Sequence, residues 1–110
     1  MTDPQVERDP NLKAIVERLI AAFHPERIYL FGSKARGDEG PDSDYDLMVI
    51  VREANEPGYR LAQKAHHVLW GIPTAADILV WTADYFDSRL PLRASLSATI
   101  AREGKLLYAA

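Results

Sequence analysis

Asp44 and Asp46 stand one residue apart at the entrance to an apolar run, within the stretch GSKARGDEGPDSDYDLMVIV that covers residues 32–51. Side chains of a strand alternate between its faces, so these two carboxylates point one way and Tyr45 the other. Like charges at that spacing repel, and burial adds a desolvation cost, so something must offset both. Asp77 opens the next apolar run, in AADILVW, and would bring a third carboxylate to the same sheet edge if the two strands are neighbours. The chain has no cysteine, and an oxygen-only donor set suits a hard ion, Mg2+ or Mn2+. Magnesium typically completes its shell with water and substrate phosphate, so the acids look incomplete until a phosphate arrives.

Gly32-Ser33 supplies a place for that phosphate. A glycine after a buried strand lets the backbone approach a ligand closely, and a helical turn behind it aims free N–H groups outward. The Ser33 hydroxyl adds a hydrogen bond, and Lys34 and Arg36 add positive charge. A Gly-Ser pair alone is usually a turn and a cap, and Asp-x-Asp alone is more often a solvated strand entrance. Their conjunction at this spacing arises by chance in ~10⁻³ of chains this long, at average residue usage. The reading is a nucleoside triphosphate held between an anion cradle and a metal cluster.

These residues need a scaffold, and the periodicities predict one. Asp9-Pro10 offers a cap and a first-turn proline for a helix in which Leu12, Ile15, Val16, Leu19, Ile20 and Phe23 recur at helical spacing. Residues 1–9 read as a loose lead-in. Strands are expected over residues 27–31, 45–51 and 77–81, with a short turn of helix from Ser33 and a loop over residues 37–43. A second helix runs from Asn55-Pro57 through Trp70 to Gly71. Thr82 caps a short helix, a last helix stops at Gly104, and residues 105–108 form an edge strand. Alternating strands and helices make the fold class α/β (α+β), one domain over residues 1–110 around a small mixed sheet flanked by helices.

Composition narrows the function classes. A net charge of −3 and a pI near 5.5 give no case for direct nucleic-acid binding. No apolar run reaches the ~20 residues of a membrane span and the polar start is no signal peptide, so a cytoplasmic location is expected. His66 and His67 read as a solvated pair on a helix, since adjacent residues do not share a helical face. Trp70 and Trp81 read as core or rim packing. Tyr85, Phe86, Leu90, Pro91 and Leu92 either cover the sheet or form a docking surface.

GSKARGDEGPDSDYD resembles the signature of the DNA polymerase β-like nucleotidyltransferase superfamily: Gly-Ser, ten residues, then Asp-x-Asp. The GSxARG opening, the length and the closing REGKLLY are similar to the minimal nucleotidyltransferases of bacteria and archaea. The resemblance spans residues 12–108 and implies two magnesium ions with ATP as substrate. It assigns Asp44 and Asp46 to the metal-ligand pair, and Asp77 to the third acid, which holds the catalytic metal and helps take the acceptor's proton. It assigns Gly32 and Ser33 to the phosphate-binding turn. Larger members carry extra segments that hold the acceptor, for which 110 residues leave no room. The resemblance therefore implies a hetero-oligomer in which a HEPN-domain ribonuclease toxin, encoded by the neighbouring gene, receives AMP on a tyrosine and is neutralised. The alternatives are a binding-only antitoxin without relevant catalysis, and nucleotidyl transfer to a small molecule such as an aminoglycoside.

Overall fold

Asp3 and Asp9 each start a helix by the same device, a side-chain carboxylate accepting a backbone amide ahead of a first-turn proline. The computed structural model describes residues 2–37 and 44–110. Helix α1 (Pro4–Arg8) follows Asp3 and α2 (Pro10–Phe23) follows Asp9. The expected loose lead-in is therefore ordered from Thr2 onward. Val6 is 1% exposed in the core, and the Asp3 amide donates to the Leu107 carbonyl at 2.7 Å. The physical reason is non-local: the segment lies along the outer strand of the sheet, where Thr2 bridges Tyr108.

Four strands, β1 (Arg27–Phe31), β2 (Tyr45–Val51), β3 (Ala76–Thr82) and β4 (Lys105–Ala109), form one mixed sheet in the order β3-β2-β1-β4. β2 is antiparallel to β1 and parallel to β3, and β4 closes the far edge antiparallel to β1. The short helix α3 (Ser33–Arg36) separates β1 from the segment leading to β2, of which residues 38–43 lie outside the described part. The predicted loop over residues 37–43 falls mostly there.

One face of the sheet packs on α1, α2 and α4 (Gly58–Val68), through Leu12, Ile15, Leu19, Leu47, Val49 and Ala65. The other face packs on α5 (Ala83–Ser88) and α6 (Leu96–Glu103), through Met48, Ile50, Phe86 and Ile100. Nearly every residue of β2 is buried, as expected of a central strand covered on both faces. Phe86 is fully buried over the sheet while Tyr85 and Leu92 stay exposed, so that aromatic segment covers the sheet in part only. Among the described residues no helix is long and apolar enough to cross a membrane.

Helix α4 ends earlier than its apolar pattern predicts. After Val68 the chain tightens, with the Trp70 amide donating to the His67 carbonyl, and Gly71 turns it at φ +90°. Arg18 of α2 clamps this end, its Nη1 donating to the carbonyls of Val68 at 3.2 Å and Trp70 at 2.7 Å.

Asp9 has a second task beyond capping. Its Oδ1 accepts the Leu12 amide at 3.2 Å, and its Oδ2 accepts the phenol of Tyr45. Tyr45 lies between Asp44 and Asp46, so this bond pins the acid-bearing end of β2 onto α2. Asp9→Ala removes a cap and the Tyr45 bond that joins β2 to α2, and should cost of order 1–2 kcal/mol in urea unfolding at unchanged m. Tyr45→Phe should cost less, because the cap survives.

Candidate functional site

The parallel pairing of β2 and β3 sets Asp46 directly beside Asp77, with Tyr45 beside Ala76. Same-register residues of neighbouring strands point to the same face, so these two carboxylates stand side by side at the N-terminal ends of both strands. Asp44 precedes β2 by one residue and is exposed. The third strand run thus delivers its acid to the edge where the sequence expects it.

Electrostatics report the same convergence. Burial, then the charges of Asp77 and Asp44, push the Asp46 carboxyl above the usual carboxylate range, while Arg36 pulls it back. Arg36 therefore sits close enough to the acids to act on them. Lys34 does not turn that way: its ammonium lies over the ring of Tyr45, 4.4 Å from the centroid. Tyr45 faces away from Asp46 along β2, so the lysine expected beside the phosphate packs instead on the back of the strand.

Gly32 directly follows Phe31, the last residue of β1, which pairs with Asp46 across the antiparallel ladder. Its φ of 76° and ψ of −157° belong to a region that side-chain-bearing residues hardly enter. A Cβ built there would lie 2.3 Å from Oδ2 of Asp46. The space left by the missing side chain is therefore filled by the Asp46 carboxylate itself. The sequence assigns that glycine to a ligand's approach; in the structure it also makes room for the acid. The Gly32 carbonyl accepts the amides of Ala35 and Arg36, closing the turn that begins at Ser33. The first amides of such a turn have no partner within it and point out of its start.

Among the described residues no group of three or more His, Cys, Asp or Glu side chains is gathered tightly enough to enclose a metal ion. The donor chemistry still fits magnesium. Two or three carboxylates on one open rim, one of them destabilised by its neighbours' charge, suit an ion that takes few protein oxygens and fills its shell from water and phosphate. His66 and His67 are both exposed on α4.

Asp44 and Asp77 also form part of the wall of an open cleft of ≈ 570 Å³, bounded by Leu69, Ile72, Trp70 and His66. Trp70, expected to pack in the core or at its rim, is 85% exposed. No local pattern marks this cleft, because its walls come from α2, the end of α4 and both strand entrances. A smaller hollow of ≈ 320 Å³ beside Trp81 and Tyr85 lies at the opposite end of β3, away from the acids.

The sequence pattern of the nucleotidyltransferase domain family matches residues 11–103. No curated protein matches the sequence. Among solved structures, a candidate nucleotidyltransferase from Sulfolobus solfataricus superposes with a TM-score of 0.65 at 22% identity, over 91% of this chain and 78% of that one. A toxin–antitoxin structure with AMP-PNP gives a TM-score of 0.54 at 24% identity, over 89% of this chain and 73% of that one. A mutant of the toxin–antitoxin MntA-HpeT gives 0.56 at 22% identity, over 89% and 72%. At these identities the likeness establishes a shared fold.

Proposed function

The chain belongs to the nucleotidyltransferase domain family, and on that premise we propose that it transfers AMP from ATP to a tyrosine hydroxyl of a HEPN ribonuclease toxin, as its antitoxin. The observation that carries the reaction is the side-by-side placement of Asp46 and Asp77 against the Gly32-Ser33 turn. The toxin–antitoxin proteins among the structural neighbours support the choice of partner.

The Ser33 hydroxyl and the first amides of α3 bind the triphosphate's outer oxygens. Asp44, Asp46 and Asp77 are the residues that would hold magnesium. Bound there, the ion supplies positive charge to the phosphate oxygens as the bonds exchange. Asp77 takes the proton of the acceptor hydroxyl as its oxygen bonds to the α-phosphorus. The bond from that phosphorus to the bridging oxygen breaks, and pyrophosphate leaves. Arg36 offsets the negative charge around the acids. Positioning and charge neutralisation carry most of such a reaction.

The test uses labelled ATP, Mg2+ and the protein encoded by the neighbouring gene. That partner should co-purify, gain mass in whole AMP units on tyrosine, and lose ribonuclease activity. Asp77→Asn should still bind it and leave its mass unchanged. If that variant neutralises the partner as well as wild type does, neutralisation works by binding and the transfer reading of the role fails. Label appearing on an aminoglycoside instead would move the acceptor to a small molecule.

A further inference from the structure

The side chains of β3 divide between two faces of the sheet. Ile78 and Val80 are buried on the side of α2 and α4, with Leu47 and Val49 of β2. Asp77, Leu79 and Trp81 point the other way, in line with Asp46, Met48 and Ile50, so they share the face of the acids. That face is covered unevenly. Met48 and Ile50 are fully buried with Phe86 and Ile100, whereas Leu79, beside Met48 in the ladder, is 36% exposed. β3 is also the last strand of the sheet, with β2 on one side and, among the described residues, no strand on the other. A strip of Asp77, Leu79 and Trp81 therefore lies along the open edge. Tyr85, exposed and edge-on to Trp81 at 4.8 Å, extends it onto α5.

What meets this strip follows from the geometry of the reaction. In-line displacement sets the attacking oxygen and the leaving pyrophosphate on opposite sides of the phosphorus. The Gly32-Ser33 turn follows β1 and closes on Asp46 from that side. With the outer phosphates in the turn, the acceptor attacks from the side of Asp77 and the sheet edge. Its body then rests on the residues beside Asp77 on the same face, of which the next along the strand is Leu79. Two residues of strand span ~6.6 Å, close to the length of a tyrosine side chain from its hydroxyl to Cβ. Past the acids the strip is leucine and aromatic ring, and the charge stacked on it is positive: Arg89 lies over the Tyr85 ring, 3.5 Å from the centroid. Such a surface repels a polycationic small molecule and suits an acceptor with an apolar body and a hydroxyl at its tip.

Resting on the nucleotidyl-transfer reading above, we propose that the open acid face of β3 docks the tyrosine-bearing segment of the partner protein. The phenol lies along the strand with its hydroxyl at Asp77 and its ring on Leu79, and the flanking chain crosses Trp81 and Tyr85. Leu79 thereby selects the acceptor without touching the nucleotide.

The experiment is an NMR titration of the full-length chain, labelled with nitrogen-15 and with carbon-13 in its leucine methyls. Three probes are added separately: N-acetyl-tyrosinamide, kanamycin and Mg2+·ATP. N-acetyl-tyrosinamide should shift the methyls of Leu79 and the indole N–H of Trp81. It should leave in place the methyls of Leu69 and the indole of Trp70, which line the cleft behind the sheet. Kanamycin should leave Leu79 unmoved. Mg2+·ATP should shift the amides of Gly32 and Ser33 and leave the Leu79 methyls in place. Leu79→Ala, at an exposed position, should fold normally and weaken the N-acetyl-tyrosinamide response of the Trp81 indole about fivefold or more, the loss expected of a contact that matters. Leu79→Met, which keeps the apolar floor, should retain most of it. Leu79 methyls that ignore N-acetyl-tyrosinamide would overturn the proposal. So would methyls that answer to kanamycin, which would make the acceptor a small cation, or to Mg2+·ATP, which would put the nucleotide there. If Mg2+·ATP leaves Gly32 and Ser33 unmoved, it is the nucleotide reading that fails, while the response to N-acetyl-tyrosinamide still decides the strip.

Discussion

Asp46→Asn is expected to lower nucleotidyl transfer by more than ~100-fold and to raise the melting temperature of the ligand-free protein. Groups that merely orient a metal ligand are worth ~10–100-fold in affinity or activity, so loss of a ligand's own charge should exceed that. The stability gain follows from what the folded chain does to this carboxyl. Burial and the charges of Asp77 and Asp44 raise its pKa above the ordinary 3.8, so the folded state holds the proton more tightly than the unfolded state does. The associated stabilisation is complete below the unfolded value and is lost as pH rises through the raised folded value. Above the raised folded value the ionised Asp46 stands against its surroundings, and asparagine removes that charge while keeping the shape. The melting temperatures of variant and wild type should therefore converge as pH falls through that value, where the wild-type carboxyl regains its proton. Adding Mg2+ should raise the midpoint of wild type more than that of the variant, because the ion relieves the same repulsion. Turnover within a few-fold of wild type would remove Asp46 from the metal site, whatever the melting curves show.

Local signals were legible where the physics is local. Asp9-Pro10, the apolar run of β2 between turn residues, and Thr82 ahead of α5 declare their elements without reference to anything distant, and β1 and β2 have the predicted bounds. Asp44 and Asp46 are two residues apart, so their relation follows from strand alternation alone. Asp77 required an assumption that its strand lies beside β2, and the parallel register supplies it. Asp3-Pro4 carries the same helix-start signal as Asp9-Pro10. Behind it Val6 offers a single apolar side chain, and the segment is tied down by β4, roughly a hundred residues away. Lys34 adjoins Ser33 in sequence, but a four-carbon stem reaches the Tyr45 ring as easily as a phosphate. Trp70 ends a helical apolar pattern and so reads as packed. The chain leaves α4 before the position at which that pattern would have buried it.

Gly32→Ala should unfold at lower denaturant and lose transfer by about 10²-fold, even though it adds only a methyl group. Two causes act together. The backbone at φ 76° and ψ −157° lies where an L side chain is strained, of order 1–3 kcal/mol. The new Cβ would also lie 2.3 Å from Oδ2 of Asp46, whereas ordinary contact begins at 3.4 Å, so roughly 1 Å of separation must be found. Asp46 is the end of a flexible side chain and is the atom group that gives way. It moves off the position beside Asp77, and a misplacement of ~1 Å at reacting groups is enough to lose about 10²-fold in rate. A valine, branched at Cβ, should do worse on both counts. The two causes separate in a double-mutant cycle read by denaturation rather than by activity. In an Asp46→Gly background the carboxylate is gone and only the backbone strain remains, so Gly32→Ala should destabilise that variant less than it destabilises wild type. An equal loss in both backgrounds would mean that the glycine serves backbone geometry and the approach of phosphate, and that making room for the acid is incidental.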